Sequence, residues 1–261
     1  MSGDRSKQIR ERWDGRAKKY DEYYKTFKGA VEHYVDWKLL KGYLPQNRDA
    51  KILDAAGGTG RITVPLAKMG YSVTLCDISP GMLEVARRKL LREGVLDRVD
   101  IFECDIGKLR FADESFDFAL CWNGMLEPAK ELIRVMKRGG TISMYLMNRC
   151  GGVIDLFPKD PVSALALLES CSDYIYDEGE RYRAVGPEEA RKLFEAQGIS
   201  VLDIYAVCGW MDLLRIPQKL QESNKWDKDF FNQAAKMVLR LSKEPSVKGV
   251  SRHLVLYGKR V

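Results

Sequence analysis

Residues Ile52–Gly60 read Ile-Leu-Asp-Ala-Ala-Gly-Gly-Thr-Gly. A short apolar run ends on an acid, Asp54, and three glycines follow before a helix-like segment over 60–69. The pattern predicts a strand feeding a tight loop nearly free of side chains, then a helix, which lets a ligand approach the backbone closely. In the dinucleotide fingerprint the glycines run G-x-G-x-x-G. Taking Gly58 and Gly60 as the first two puts Thr63 where the third belongs. An acid directly ahead of the loop would also repel a pyrophosphate. Asp54 suits a cationic or hydrogen-bond-donating group instead.

The same arrangement repeats along the chain. Apolar runs at Tyr71–Cys76, Val99–Cys104 and Phe116–Trp122 alternate with helical patterns at 80–93 and 126–137. Alternating strands and helices predict a parallel sheet. The first run closes on Asp77, where an acid is placed to accept both hydroxyls of a ribose. Ser79 and Pro80 then read as a helix cap and first turn. The second run closes on Asp105-Ile106. Lys137-Arg138-Gly139-Gly140 reads as a turn ahead of a fifth strand, Thr141–Met147. A helix follows Gly186-Pro187-Glu188-Glu189, and strands are expected at Ile199–Cys208 and His253–Lys259.

Asp54–Gly60 resembles the first motif of the class I S-adenosylmethionine (SAM) methyltransferases, D/E-x-G-x-G-x-G, with Ala56 in place of the first glycine. Lys137–Gly140 is similar to the K-P-G-G turn of the same family. The resemblance implies an α/β fold: a Rossmann-like seven-stranded sheet, mostly parallel, with the seventh strand antiparallel and helices on both faces. It implies SAM as cofactor and S-adenosylhomocysteine as product. Asp54, Ala55, Ala56, Gly57, Gly58 and Gly60 would form the cofactor loop. Asp77, with Ile78 and Met82, would hold the ribose, Asp105 and Ile106 the adenine, and Trp122 would border the methionine or adenine end.

Ile9, Trp13, Ala17, Tyr20, Tyr24 and Phe27 recur at spacings of three and four, predicting one amphipathic N-terminal helix. Within it, Trp13-Asp14…Ala17…Tyr20-Asp21 resembles a signature of methyltransferases related to ubiquinone and menaquinone methylation, which implies that Tyr20 lies near the cofactor. We expect one domain over 1–261, with a helical cover at 1–48 and lid or substrate insertions at 149–185 and 209–250. Loops of that size usually carry function or structure of their own. Tyr24, His33, Trp37, Asn148 and Trp210 are candidate acceptor-site residues.

Much of the chain also resembles bacterial methyltransferases that esterify 5-carboxymethoxyuridine at the tRNA wobble position. The similar stretches are Tyr24–Gly29 with Trp37, the first motif, Leu75–Ser79, Asn148, Glu244-Pro245 and Arg252-His253-Leu254. That resemblance implies Arg252 as a ligand of an acceptor carboxylate. The chain departs from it in a short Asn123–Glu127 segment and in Glu32, which stands where an arginine belongs.

Composition narrows the function further. Lys and Arg number 43 against 37 Asp and Glu, a net charge of +6 that permits an anionic or RNA partner without requiring one. Arg87-Arg88-Lys89 reads as a solvated helix face. No apolar stretch approaches the ~20 residues that span a bilayer, and the polar N-terminus lacks a signal-peptide core, so a cytoplasmic protein is expected. Six cysteines without a C-x-x-C pair, and only two histidines, argue against zinc, a redox pair or a Ser-His-Asp hydrolase. His253, inside the last strand, is expected to be structural. Trp122-Asn123-Gly124 lacks the N-P-P-[YF] that grips base amines. The leading expectation is methyl transfer from SAM to a small-molecule acceptor by in-line displacement, with no catalytic base assigned. The alternatives are the tRNA wobble reaction, transfer of a group other than methyl, and a non-catalytic SAM-binding module.

Overall fold

A computed structural model describes residues 3–123, 125–170, 173–176, 180–207 and 216–261. The apolar runs form β1 (Lys51–Ala55), β2 (Ser72–Asp77), β3 (Val99–Glu103), β4 (Phe116–Cys121) and β5 (Met136–Met147). A hairpin follows, β6 (Asp173–Tyr176) with β7 (Glu180–Arg183), and then β8 (Ile199–Val207) and β9 (His253–Arg260). Seven strands make one sheet in the order β3-β2-β1-β4-β5-β9-β8, and β9 alone runs opposite to the other six. The order reverses between β1 and β4, and open α/β sheets bind ligands at such a switch point, beyond the strand C-termini.

Burial on both faces explains the unbroken apolar runs. Ile52 belongs to one core with Leu66, Leu75 and Tyr257, while Leu53, one residue on, belongs to the opposite core with Leu132 and Phe194. The crossovers are α3 (Thr63–Lys68), α4 (Pro80–Arg92) and α5 (Ala129–Val135), and α8 (Pro187–Glu195) precedes β8. Cys76, Cys104 and Cys121 are buried thiols near strand ends.

Three elements differ from the sequence expectation. The helix forecast from residue 60 starts only at Thr63, because the loop keeps turning through Gly60 at φ 73°. Lys137–Gly140 lies within β5 as a bulge: Phe116 pairs with Met136, yet Phe118 pairs with Thr141. The N-terminal pattern is not one helix. α1 (Gly3–Arg16) ends before a 3-10 turn at Tyr20–Lys25, and the Thr26 hydroxyl caps a new helix, α2 (Phe27–Lys41), by accepting from the Gly29 N–H at 3.1 Å.

The first insertion folds as α6 (Arg149–Leu156), α7 (Pro161–Ser170) and the β6–β7 hairpin. The second supplies α9 (Gln218–Gln221), α10 (Lys228–Leu241) and α11 (Pro245–Val250). α10 packs on α2, with Phe27 stacked on Phe230 and edge-on to Trp226 and Phe231. No helix among the described residues is long and apolar enough to cross a membrane.

α6 approaches the start of β9 so closely that a Cβ on Gly151 would lie 2.3 Å from the Ser251 carbonyl oxygen and 2.5 Å from Arg252 Cα. Both are backbone atoms that cannot swing aside. Gly151→Ala is expected to destabilise the protein by about 1–3 kcal/mol, read as a lower urea midpoint at unchanged slope.

Candidate functional site

The loop after β1 turns because three of its residues adopt left-handed backbone angles: Ala56 at φ 55°, Gly58 at 55° and Gly60 at 73°. Glycine takes that region freely, whereas alanine is strained there. Asp54, beneath the loop, is buried and its Oδ2 accepts the Thr63 hydroxyl at 2.6 Å. Burial pushes its carboxyl up to about 6, against the Thr63 bond and the charge of Arg61.

Asp77 ends β2 with one backbone N–H on each oxygen: Ser79 on Oδ1 at 2.9 Å and Gly58 on Oδ2 at 3.0 Å. Burial raises its carboxyl to about 6, opposed by these donors. The next strand tip is built the same way. Asp105 Oδ1 accepts from Gly107 N–H at 2.8 Å, and its Oδ2 accepts from Ser6 Oγ of α1 at 3.2 Å.

The N-terminal arm is fastened over these tips by its own acids. Asp14 Oδ1 accepts the Ser79 hydroxyl at 2.6 Å and the Gly81 N–H at 2.8 Å, at the N-terminus of α4. An anion there also suits the helix dipole. Asp21 accepts the Thr59 hydroxyl of the glycine loop at 2.7 Å and pairs with Lys89 of α4 at 2.5 Å. Arg10 pairs with Glu103 at the end of β3.

Beneath the arm lies a cavity of about 320 Å³, within the range of small-ligand pockets. Ala56, Gly58, Asp77, Ile78, Met82, Asp105 and Ile106 line one end of it. Ile9, Trp13, Tyr20 and Tyr24 of the arm close over it, and Trp122, Tyr145, Met147, Tyr182 and His253 extend it along the sheet. Trp122 stacks on Tyr145 at 4.7 Å and donates its indole N–H to Ser143 Oγ at 2.9 Å. Gly58 faces this space: a Cβ on it would stand 4.0 Å from Asp77 Oδ2 and 3.9 Å from Met82 Sδ.

The acceptor-site candidates fare unevenly. Tyr24 lines the cavity, whereas His33, Trp37, Asn148 and Arg252 do not. His33 stands behind Arg61, sharing a hydrogen bond with it at 3.0 Å, and burial followed by the Arg61 charge lowers its imidazole to about 4. Trp37 packs against the core beneath the Lys41 ammonium. Asn148 is fully buried, its amide donating to the Ser251 carbonyl at 2.6 Å and the Lys248 carbonyl at 2.9 Å, which ties β5 to the end of α11. Arg252 pairs with Asp155 of α6 at 2.6 Å. Trp210 lies outside the described residues.

His253, expected to be structural, opens β9 and also borders the cavity, held neutral by burial and then by Arg252, which lower it to about 3. The first insertion contributes Tyr182, whereas no described residue of 216–250 lines the cavity. Arg61 and Asp36 were missed. Arg61 carried a signal, since a cation just ahead of a helix N-terminus opposes the dipole. Asp36 carried another, as an acid beside the apolar positions of α2.

Comparison with known proteins agrees with this geometry. Residues 52–140 match the family described as a methyltransferase domain. The ubiquinone/menaquinone biosynthesis C-methyltransferase UbiE of Pseudomonas putida (strain GB-1) is 30% identical over 192 residues, 69% of this chain and 73% of that protein. A demethylmenaquinone methyltransferase of Clavibacter sepedonicus is 44% identical over 98 residues, 35% of this chain but only 39% of the relative. Among solved structures, the complex of the Haloferax volcanii Trm112 methyltransferase activator with a methyltransferase matches at TM-score 0.60 and 17% identity, covering 95% of this chain and 97% of that one. The geranyl diphosphate C-methyltransferase of Streptomyces coelicolor A3(2), solved with S-adenosylhomocysteine, matches at TM-score 0.56 and 13% identity, covering 87% and 78%. At these identities the structures share the fold.

Ala56 offers a direct test of the loop geometry. Relief of its left-handed strain, ~1–2 kcal/mol, exceeds the ~0.4–1 kcal/mol that glycine's extra freedom in the unfolded chain takes back. Ala56→Gly is therefore expected to stabilise the protein by roughly 1 kcal/mol, raising Tm by about 2–4 °C in calorimetry.

Proposed function

This chain belongs to the class I SAM-dependent methyltransferases, and we propose that its cavity holds SAM and presents the methyl group to a small-molecule acceptor. The observation that carries the reading is Asp77, a buried carboxylate at a strand tip beside a glycine whose missing side chain leaves room at its oxygens. Each Asp77 oxygen accepts one backbone N–H and keeps a further lone pair, so a vicinal diol fits the pair. Asp105 and Ile106 would face the adenine, and Met82 and Ile78 would cover the adenosyl group. Ala55, Gly57 and Gly60 shape the loop, Asp54 braces it from below, and Tyr20 and Trp122 border the methionine portion.

SAM supplies a methyl group already activated on a sulfonium, so the protein's own work is alignment and exclusion of water. The arm of Trp13, Tyr20 and Tyr24 covers the cavity, and Asp14 and Asp21 hold it down. The far end is walled by Trp122, Met125, Met147 and Tyr182, which suits an acceptor with an apolar body. A mostly apolar cavity favours a small molecule over tRNA, whose backbone calls for a basic track. The UbiE relatives, C-methyltransferases of ubiquinone and menaquinone biosynthesis, support the same reading.

Asp77→Ala is expected to weaken SAM binding by about 1.5–3 kcal/mol in calorimetry, through loss of charge-assisted hydrogen bonds; unchanged affinity rejects the ribose assignment. Because the Asp77 carboxyl titrates near 6, its anionic fraction falls as the pH drops through that value. SAM affinity is expected to be about tenfold lower at pH 5 than at pH 7, a dependence that Asp77→Asn should flatten. For the acceptor, methyl-labelled SAM is incubated with metabolite and tRNA fractions. Label in metabolites supports the proposal, and an alkali-labile label in tRNA overturns it.

A further inference from the structure

The cavity contains a cation that no part of the reading above employs. Arg61 follows the glycine loop, and its guanidinium stands 4.4 Å from the centre of the Tyr24 ring and 5.8 Å from that of Trp122. The side chain is only 14% exposed, and it borders the cavity. Its hydrogen bonds to described residues all leave from one nitrogen: Nη1 lies 3.0 Å from His33 Nδ1 and 3.2 Å from Asp36 Oδ2. Arginine carries five N–H donors in a planar fork. Among the described residues, none accepts from Nε or Nη2. Arg61 borders the cavity, so these spare donors are open to a ligand acceptor, and a hydrogen bond to a charged group is among the stronger ones.

Position along the sheet identifies the ligand group. The strands run β3, β2, β1, β4, β5, each about 4.8 Å from the next. With adenine at Asp105 after β3 and ribose at Asp77 on β2, the methionine chain extends across β1 toward β4 and β5. There Trp122 and Tyr145 stack, with Arg61 beside them. That chain ends in a carboxylate.

We propose that the unshared edge of Arg61 grips the methionine carboxylate of SAM through two parallel N–H···O contacts, the geometry in which a guanidinium discriminates best. The inference rests on the SAM reading of the cavity. Asp36 and His33 are positioning residues. They fix the opposite edge, and the buried neutral imidazole accepts from Arg61 without adding a second positive charge. The consequence is a choice of cofactor. Decarboxylated SAM, the donor for aminopropyl transfer, lacks the group that Arg61 recognises and is disfavoured.

The test is calorimetry with three probes: SAM, decarboxylated SAM and 5′-methylthioadenosine, which keeps the adenosyl group and lacks the amino-acid chain. The wild type should prefer SAM over decarboxylated SAM by about ten- to a hundredfold. Arg61→Gln should bring that ratio close to one while binding 5′-methylthioadenosine within about twofold of wild type. Arg61→Lys, which keeps the charge and loses the fork, should retain an intermediate ratio, and it serves if the glutamine variant does not fold. Equal affinity of the wild type for SAM and decarboxylated SAM overturns the proposal, as does a full preference surviving in either variant. Failure of the underlying SAM reading looks different, because the wild type then binds neither SAM nor 5′-methylthioadenosine.

Discussion

Two backbone N–H groups, those of Gly58 and Ser79, end on the two oxygens of Asp77, and the rest of the site is arranged around that bridge. The bond to Gly58 ties the loop after β1 to the tip of β2. The bond to Ser79 sets the start of α4, whose first turn the Ser79 hydroxyl then caps at the Met82 N–H. A carboxylate this deeply buried stays usable only because backbone donors oppose its desolvation. The left-handed angles at 56, 58 and 60 bring the Gly58 N–H to it, so the glycine motif and the strand-tip acid form a single device.

The N-terminal arm extends the same logic. Its Trp-Asp…Ala…Tyr-Asp pattern has a physical account: the two aromatics face the cavity, and the two acids bond to the N-terminus of α4 and to the glycine loop. Ala17 is small because Gly81 lies against it, where a Cβ would stand 3.5 Å from its own. Cover and floor are thus joined through polar bonds, and apolar and aromatic side chains are left to face the ligand.

What was legible in the sequence was what short-range pattern encodes. Apolar runs bounded by acids give strands whose burial is continuous, and their order gave the sheet. The break between α1 and α2 was not legible, since Trp13, Tyr20, Tyr24 and Phe27 keep helical spacing across a turn that only tertiary contacts reveal. Residues at the strand tips next to the glycine loop were legible because their neighbours in space are neighbours in pattern. The far wall was not. His33 and Arg252 looked chemically suited to an acceptor, yet each is committed to an ion pair or to another side chain, and partners distant in sequence decide that. Arg61 and His253 turned out to face the cavity for the same reason.

α2 makes contacts of two unlike kinds. Near its start Phe27 is locked into the aromatic cluster of Trp226, Phe230 and Phe231, and its backbone N–H donates to the Ser223 carbonyl at 2.7 Å. Nine residues on, roughly 13.5 Å along the axis at 1.5 Å per residue, Asp36 borders the cavity and holds Arg61. A helix over that distance behaves as a stiff rod. The 216–241 segment, which lends no side chain to the cavity, is therefore joined to the guanidinium through that one rod. A surface helix pair remote from the cavity thus shares a single stiff element with a charged group of its lining.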